Sequence, residues 1–477
     1  MTGHVLTGTL YPATLEPPYA YLAFELPEGI TRLSVRCRFD EGNVIDLGLL
    51  DPRAQGQSFP ATQGFRGWSG GARDAFFVSE TEATPGYLAG DLPPGTWSVM
   101  LGLYKVQPQG CHYRIEVTYE TGPRVAIPRQ SETAEQKVQR TGSGWYRADL
   151  HTHTHHSDAE GSLDDLVRAA EARELEVLAV TDHNTVSHHR ALAQQRTPLL
   201  LIPGQELTTS RGHANVWGET GWIDFRLIQD ADLPKLVRHV HDIGGLFSIN
   251  HPKDTGHDWY PPVPERLDAL EVWQSAWAYR NWESVALADR LLRVGRRFTF
   301  VGGSDRHQPA PSDTDPDFLR VGTPTTWLYL EARTVLGVLR ALRSGRACVS
   351  ESPMGPRLEL SVAGIPMGGT VSRSSQVQRV KTSVTGAAGC TLRYLSDEGV
   401  VRTAVIPDDT FTEGWWWRPE GHFLRAEVVA DPVAGAQQTR LELDAVGVSS
   451  DDARYDEVLS IPRIRALSNP VFVTHTF

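Results

Sequence analysis

Four short apolar runs in this chain break off into histidine or carboxylate, and that repetition constrains the fold more than any single motif. Glu176-Val-Leu-Ala-Val180 leads into Thr181, Asp182, His183 and Asn184, and Leu199-Leu-Leu-Ile202 leads to Glu206. Leu246-Phe-Ser-Ile249 ends in Asn250-His251-Pro252, and Phe298-Thr-Phe-Val301 in Gly-Gly-Ser304-Asp305-Arg306-His307. Runs of this length suit buried parallel strands. Helical patterns separate several of them: 162–175, with Ser162 as N-cap and Asp165 placed for a capping box, then 233–243 and 282–294. Strand, polar residue and helix in repetition mean an α/β chain, a parallel sheet or barrel whose chemistry sits at the carboxyl ends of the strands.

The segment Asp149-Leu-His-Thr-His-Thr-His-His-Ser-Asp158 adds four imidazoles and two carboxylates in ten residues. In an extended strand His151 and His153 point the same way and can share one cation, and a turn past the strand end can return Asp158. A solvated His-rich loop is the plain alternative for this segment taken alone. His213, in Gly212-His-Ala-Asn-Val-Trp217, is a further candidate.

The ordered series HxHTxxSD, TDH, a Glu with GHAN, NHP and GSDxH resembles the polymerase-and-histidinol-phosphatase (PHP) superfamily of metallohydrolases, over roughly residues 145–350. The GHAN wording between β-rich flanks is similar to its CehA/McbA branch, named for carbaryl hydrolysis. The resemblance implies a distorted (β/α)7 barrel holding two or three divalent ions. His151, His153, Glu206 and Asp305 would bind the first ion. Glu206, His213 and His251 would bind the second, with Glu206 bridging, and Asp158, His183 and His307 would complete a third. Many PHP proteins carry histidine where Asp158 stands, so the third ion is expected to be more weakly held or of another kind. Glu206, Asp305 and His183 are the expected catalytic residues.

The residues themselves agree with such a site. Nitrogen and oxygen donors without thiolate favour Zn, Mn or Fe over Mg and Ca. Two such ions can hold a bridging hydroxide and neutralise a leaving oxygen. There is no GxxxxGK[ST] loop, no GxSxG elbow and no redox motif, so kinase, serine-hydrolase and dehydrogenase readings lack support. The expected activity is phosphoester hydrolysis of a small-molecule substrate, with carbamate or carboxyl-ester hydrolysis as the alternative. A non-enzymatic binding protein with a vestigial metal site is the other class, and the complete ligand set argues against it.

Lys253 and Arg306 are candidates for an anionic substrate oxygen, or for salt bridges on the rim. Trp273 and Trp277, with Tyr279 and Trp282, are candidates for the wall of an apolar pocket, or for core. His155 and His156 are expected to face solvent, with leaving-group protonation as their functional option. His188, His189, His239 and His241 read as surface or packed residues, so replacing His188 or His239 is expected to leave activity nearly intact. Asp182 is expected to orient a ligand imidazole. Trp415, Trp416 and Trp417 read as packing.

Three domains are expected: 1–140 and 356–477 as β-sandwiches, and 141–355 as the barrel. Alternating runs such as Arg32–Cys37, Ile45–Leu50, Tyr113–Tyr119, Arg357–Val362, Thr391–Tyr394 and Leu424–Val429 carry the outer two, with a polar linker at 131–140. A formal charge of -12 and a pI near 5.8 oppose general nucleic-acid binding. No signal-peptide pattern and no run near about 18 apolar residues is present, so a cytoplasmic protein without membrane contact is expected. Cys37, Cys111, Cys348 and Cys390 lack CxxC spacing and read as free thiols.

Overall fold

The computed structural model describes residues 2–12, 18–122, 142–218, 221–227, 229–254, 259–308, 316–448, 452 and 455–474, so the linker read at 131–140 lies outside the described residues. The alternating runs of the first part form two four-stranded antiparallel sheets. One has the order Thr2–Leu10, Cys111–Thr121, Ile30–Phe39, Ala75–Ser79, and the other Tyr19–Leu26, Gly95–Lys105, Val44–Leu50, Phe65–Gly70. Every second residue turns inward, so that Leu33, Val35, Ile115 and Val117 of the first sheet share a core with Leu47, Leu49, Val99 and Leu101 of the second.

The middle of the chain is mixed α/β. Its strands lie in the order Thr299–Gly303, Ala269–Gln274, Leu246–Ile249, Gly212–Trp217, Leu200–Thr209, Val177–Val180, Gly144–Asp149, Thr325–Leu330 and Ala347–Ser350. The helices Leu163–Ala172, Leu233–Asp242 and Asn281–Arg293 stand where the sequence places them, and Ser162 and Asp165 make the reciprocal capping box. Leu233–Asp242 buries Leu233, Leu236, Val237 and Val240, one stripe of an otherwise polar helix.

The sheet is not all parallel, which corrects the sequence reading. Leu200–Thr209 and Gly212–Trp217 form an antiparallel hairpin, and Gly212–Trp217 also pairs antiparallel with Leu246–Ile249. The reason is local: Ser210-Arg211 is too short for a crossover, and Gly212 takes the positive φ (+128°) that the reversal needs. His213 consequently stands at the start of a strand.

Among the described residues no main-chain ladder joins Thr299–Gly303 to Thr325–Leu330. Side chains close that edge instead. Thr326 Oγ1 accepts from Gly302 N (2.8 Å) and donates to Gly302 O (2.7 Å). Asn469 Oδ1 accepts from Phe300 N (2.7 Å), and its Nδ2 donates to Phe300 O (3.0 Å) and Ala347 O (2.9 Å).

Asn469 belongs to the last part of the chain, which is less separate than the sequence suggests. The predicted strands appear as Arg357–Val362, Thr391–Ser396 and Phe423–Val429, and Arg357–Val362 belongs to a four-stranded sheet with Ile365–Pro366, Gln378–Thr385 and Thr410–Trp417. Ile464–Ser468, however, pairs with both Ala347–Ser350 and Phe423–Val429, so one sheet runs on from the metal-ligand region into the C-terminal region. The free edge of Ala347–Ser350 supplies the unpaired main-chain groups that recruit it. The helix Pro432–Ala445, absent from the sequence reading, starts at the Asp431 cap with proline in its first turn. Trp417 is buried and Trp415 packs on the C-terminal core, whereas Trp416 is exposed. All four cysteines are free and buried.

Candidate metal centre

Past the strand ends the chain goes on pairing, and this brings the candidate ligands side by side. Thr152 bridges Arg306, and His183 bridges Glu206. Asp305 N donates to His151 O (2.8 Å), His153 N to Arg306 O (3.2 Å) and Glu206 N to Thr181 O (3.0 Å). Asp149 ties the loops from behind, accepting from the main-chain N of His151 (3.2 Å), Ser304 (3.0 Å) and Gly322 (2.7 Å). A Cβ on Gly303 would lie 2.4 Å from His151 Cβ, so only glycine permits this approach. His251 (φ +28°) and Asp305 (φ +51°) turn sharply out of their strands. Left-handed backbone at such residues costs on the order of 1–3 kcal/mol, a strain that recurs at functional sites.

All nine side chains singled out in the sequence converge. Asp305 Oδ1 lies 2.9 Å from His153 Nε2 and 3.2 Å from His151 Nε2, which is itself 3.2 Å from Glu206 Oε1. The same Glu206 oxygen is 3.4 Å from both His213 Nδ1 and His251 Nε2, while Glu206 Oε2 is 2.7 Å from His183 Nδ1. His183 Nε2 and His307 Nε2 are 3.0 Å apart, and Asp158 Oδ1 is 3.5 and 3.4 Å from them. Four groupings have ligand atoms close enough to share an ion: His151, His153, Glu206 and Asp305; Glu206, His213 and His251; His151, His251 and Glu271; and His153, His183 and His307, with Asp158 beside the last.

A metal fits this arrangement better than hydrogen bonding does. His151 Nε2, His153 Nε2 and Asp305 Oδ1 are buried and have no hydrogen-bond partner, a costly state for polar atoms unless something else binds them. Donors about 2.0–2.1 Å from a tetrahedral zinc stand about 3.3 Å apart, close to the separations seen here.

The charges respond to burial and to one another. Burial alone would strip His151 of its proton, but Asp305, Glu271 and Glu206 hold it well above the ordinary histidine value. Burial pushes His153 down to about 3, aided by His307 and His183, and His251 down to about 4. Burial would raise Glu206 and Asp305, but the surrounding histidines hold both well below the usual carboxylate range. His307 is pushed up to about 9, burial being outweighed by Asp158 and Asp305.

The supporting residues were mostly invisible in the sequence. Glu271 accepts from His151 Nδ1 (3.0 Å) and from His251 N (3.0 Å), fixing two ligands at once. His151 already faces Glu206 and Asp305 through Nε2, which leaves Glu271 on its far side as the orienting carboxylate. Asn250 Nδ2 donates to Glu206 Oε1 (2.8 Å), and Gln274 Nε2 to Asp305 Oδ2 (2.9 Å). Only the place of Asn250 just past a strand end and of Gln274 at one could have flagged those two. Asp182 corrects its expectation: it accepts from Thr154 N (2.8 Å), Thr154 Oγ1 (2.7 Å) and Ser157 Oγ (2.7 Å), so it shapes the 154–157 loop and orients no ligand imidazole in these contacts. His188 stands 3.1 Å from Asp182 Oδ2, fully buried.

The candidate substrate residues lie deeper than the sequence suggested. Lys253 is buried against Gln274 and Asn281, and burial pushes its ammonium down to about 7. Arg306 is buried and donates to Leu319 O. Trp273 and Trp277 are each 1% exposed and pack edge-to-face at 4.9 Å. What little of them is open lines a cavity of about 510 Å³ shared with Cys390, Arg463 and Arg465, and none of the nine ligand candidates lines it. His155 and His156 are half-buried and stacked rather than solvent-facing, and His156 Nδ1 meets Ser187 Oγ at 2.8 Å. His189 Nε2 meets Gly204 O, and His241 Nε2 meets Asp268 Oδ2 at 2.6 Å. The N-terminal region reaches this loop as well: Arg73 donates to His155 O and to Ser157 O (3.0 Å).

Residues 149–244, which include His151, His153, Asp158, His183, Glu206 and His213, match the family model described as the PHP domain. An uncharacterized protein of Methanocaldococcus jannaschii is 26% identical over 141 residues, 26% of this chain and 56% of the relative, so the chain spans about half the length of that relative. Among solved structures, a two-domain Bacteroides vulgatus protein described as containing a predicted PHP-like metal-dependent phosphoesterase is 19% identical, with a TM-score of 0.37, covering 64% of this chain and 95% of its own. A Chromobacterium violaceum amidohydrolase with bound sulfate and no metal is 15% identical, with a TM-score of 0.23, covering 36% and 93%. Among the described residues no helix is long and apolar enough to cross a membrane.

Proposed function

We propose that this chain is a metal-dependent phosphoesterase acting on a small-molecule phosphate ester, and that the seven strands from Gly144–Asp149 to Thr299–Gly303 form a distorted barrel of the PHP type around its site. The observation that carries the reading is the set of buried, unpartnered atoms His151 Nε2, His153 Nε2 and Asp305 Oδ1, converging beside Glu206. His151, His153, Glu206 and Asp305 hold a first divalent ion. Glu206, His213 and His251 hold a second, and His183, His307 and Asp158 a third, with Zn, Mn or Fe as the ions suited to such donors. When bound, such ions activate water at neutral pH and neutralise charge on the attacking and leaving oxygens.

The chain's own residues keep this site charged and ordered. Glu206 would lend its negative charge to two of these ions, Asn250 fixes one of its oxygens, and Glu271 holds His151 and His251 in place. His183 and His307 present their Nε2 atoms toward Asp158 at the partly open side, where a substrate phosphoryl group has access. Phosphate is favoured over an aryl ester or carbamate because Trp273 and Trp277 are core residues, the other of the two roles their sequence allowed, and so offer no apolar wall beside the ligands.

The test is metal analysis of protein purified without chelator, with turnover of nitrophenyl phosphate, bis-nitrophenyl phosphate and nitrophenyl acetate under Zn, Mn and Fe. Bound metal and phosphate-ester turnover are expected. Acetate hydrolysis with both phosphates untouched would transfer the assignment to ester hydrolysis, and a metal-free inert protein would leave a binding module.

A further inference from the structure

Lys253 is 3% exposed, and among the described residues the contacts of its Nζ are amide oxygens and the Tyr279 ring rather than a carboxylate. A buried ammonium ordinarily requires a close anion, so its surroundings call for explanation. Its neighbours are neutral oxygens: Gln274 Oε1 at 2.8 Å, Gln274 O at 3.3 Å and Asn281 Oδ1 at 2.8 Å. All three are acceptors, so the N–H bonds of Lys253 point at them.

That contact decides which way the Gln274 amide faces. With Oε1 turned to Lys253, the Nε2 end must point the other way, and there it donates to Asp305 Oδ2 at 2.9 Å. Asn281 locks the same residue from behind. Its Oδ1 accepts from Gln274 N (2.8 Å), and its Nδ2 donates to Gln274 O (3.0 Å) and Ala276 O (2.7 Å). Asp305 is therefore divided between two tasks. Oδ2 is capped by the amide, while Oδ1, which has no hydrogen-bond partner, faces His151 and His153.

We propose that Lys253 and Gln274 are positioning residues that assign Asp305 Oδ1 alone to the first cation, Lys253 acting wholly through the orientation and polarisation of the Gln274 amide. This rests on the metal reading given above. Without Lys253 the amide is free to flip and present Oε1 to Asp305 Oδ2. Two acceptors then face each other, and the carboxylate rotates toward binding through both oxygens. Lys253 thus acts on the metal without touching it or the substrate.

The experiment compares Lys253→Met, Gln274→Leu and the double variant with the parent protein. Zn2+ affinity is measured by chelator competition, and the visible spectrum is recorded with Co2+ alone. Each single variant is expected to lose tenfold to a hundredfold in affinity for the tightest ion, as when other outer partners of metal ligands are removed. Co2+ absorption should weaken as the coordination number rises. Because both residues act along one path, the double variant should lose no more than the worse single variant. Folded variants with parental Zn2+ affinity and an unchanged Co2+ spectrum overturn the proposal while leaving the metal reading intact. Additive losses in the double variant also overturn it. A parent protein that binds no divalent ion removes both readings together. If Lys253→Met does not fold, Gln274→Leu decides the matter by the same two measurements.

Discussion

Replacing Glu271 with Gln removes one charge and keeps almost the same shape, and the structure says what that should cost. Glu271 uses one oxygen for His151 Nδ1 and the other for His251 N, both at 3.0 Å. An amide has a single acceptor oxygen, so one of the two donors is left facing an NH2 group inside a closed core. A buried donor without an acceptor costs about 1–3 kcal/mol of folding stability. Losing the carboxylate also makes the His151 ring less basic at Nε2, and such changes behind a ligand weaken metal binding by about tenfold to a hundredfold, or about 1.4–2.7 kcal/mol. The loss should depend on pH in a definite direction. Glu271 is one of three carboxylates holding the His151 proton on, so its removal also eases proton competition. The variant should therefore come closest to the parent at low pH and fall furthest behind at high pH. Zn2+ competition at pH 6.5 and 8.5, with thermal unfolding of the metal-free forms, measures both effects. A loss under twofold at pH 8.5, or one that grows as the pH falls, would refute the assignment of Glu271 as the orienting carboxylate.

Glu206→Gln should lower both the number of bound ions and turnover, because Glu206 touches ligands of every grouping; unchanged stoichiometry by elemental analysis would reduce it to an ordinary structural residue. His307, raised to about 9 from an ordinary value of about 6.5, stabilises the metal-free protein fully below pH 6.5, and this contribution is lost as the pH rises through 9. Metal-free melting temperature should fall across that window, and Zn2+ uptake at pH 7.5 should release protons, read by calorimetry in buffers of different ionisation enthalpy; uptake without proton release contradicts this. His188→Ala should cost about 1–3 kcal/mol in thermal unfolding, because its ring is fully buried and its Nε2 meets Val180 O at 3.1 Å, while the half-buried His239→Ala should stay within about 0.5 kcal/mol. Equal effects would show that the buried His188 ring adds nothing to stability.

His183, His251 and Asp305 were readable because each follows a strand whose apolar run announces itself, and because His and Asp have few other reasons to cluster there, whereas Glu206 lies within a strand and His213 opens one. Glu271 was not, since it sits inside the strand Ala269–Gln274 among apolar neighbours, where a carboxylate carries no motif. Lys253 was read by charge alone and assigned to substrate; only the contacts with Gln274 and Asn281 turn it inward. The hairpin holding His213 departs from the parallel sheet expected of the chain, because a two-residue connection is too short for a crossover. The join between the middle and last parts lay further out of reach, because Ile464–Ser468 is not among the runs read as strands, and alternation would not have said which edge it meets.

That join has a bearing on how the chain is made. Phe300 and the Asn469 side chain that seals it are 169 residues apart. At translation rates of about 5–20 residues per second, the nascent chain carries the open edge of Thr299–Gly303 for on the order of ten seconds before Asn469 is synthesised. An unsealed apolar edge is a template for pairing with other chains. A truncated form ending near residue 355 would keep that exposure permanently, although every ligand residue would be present in it.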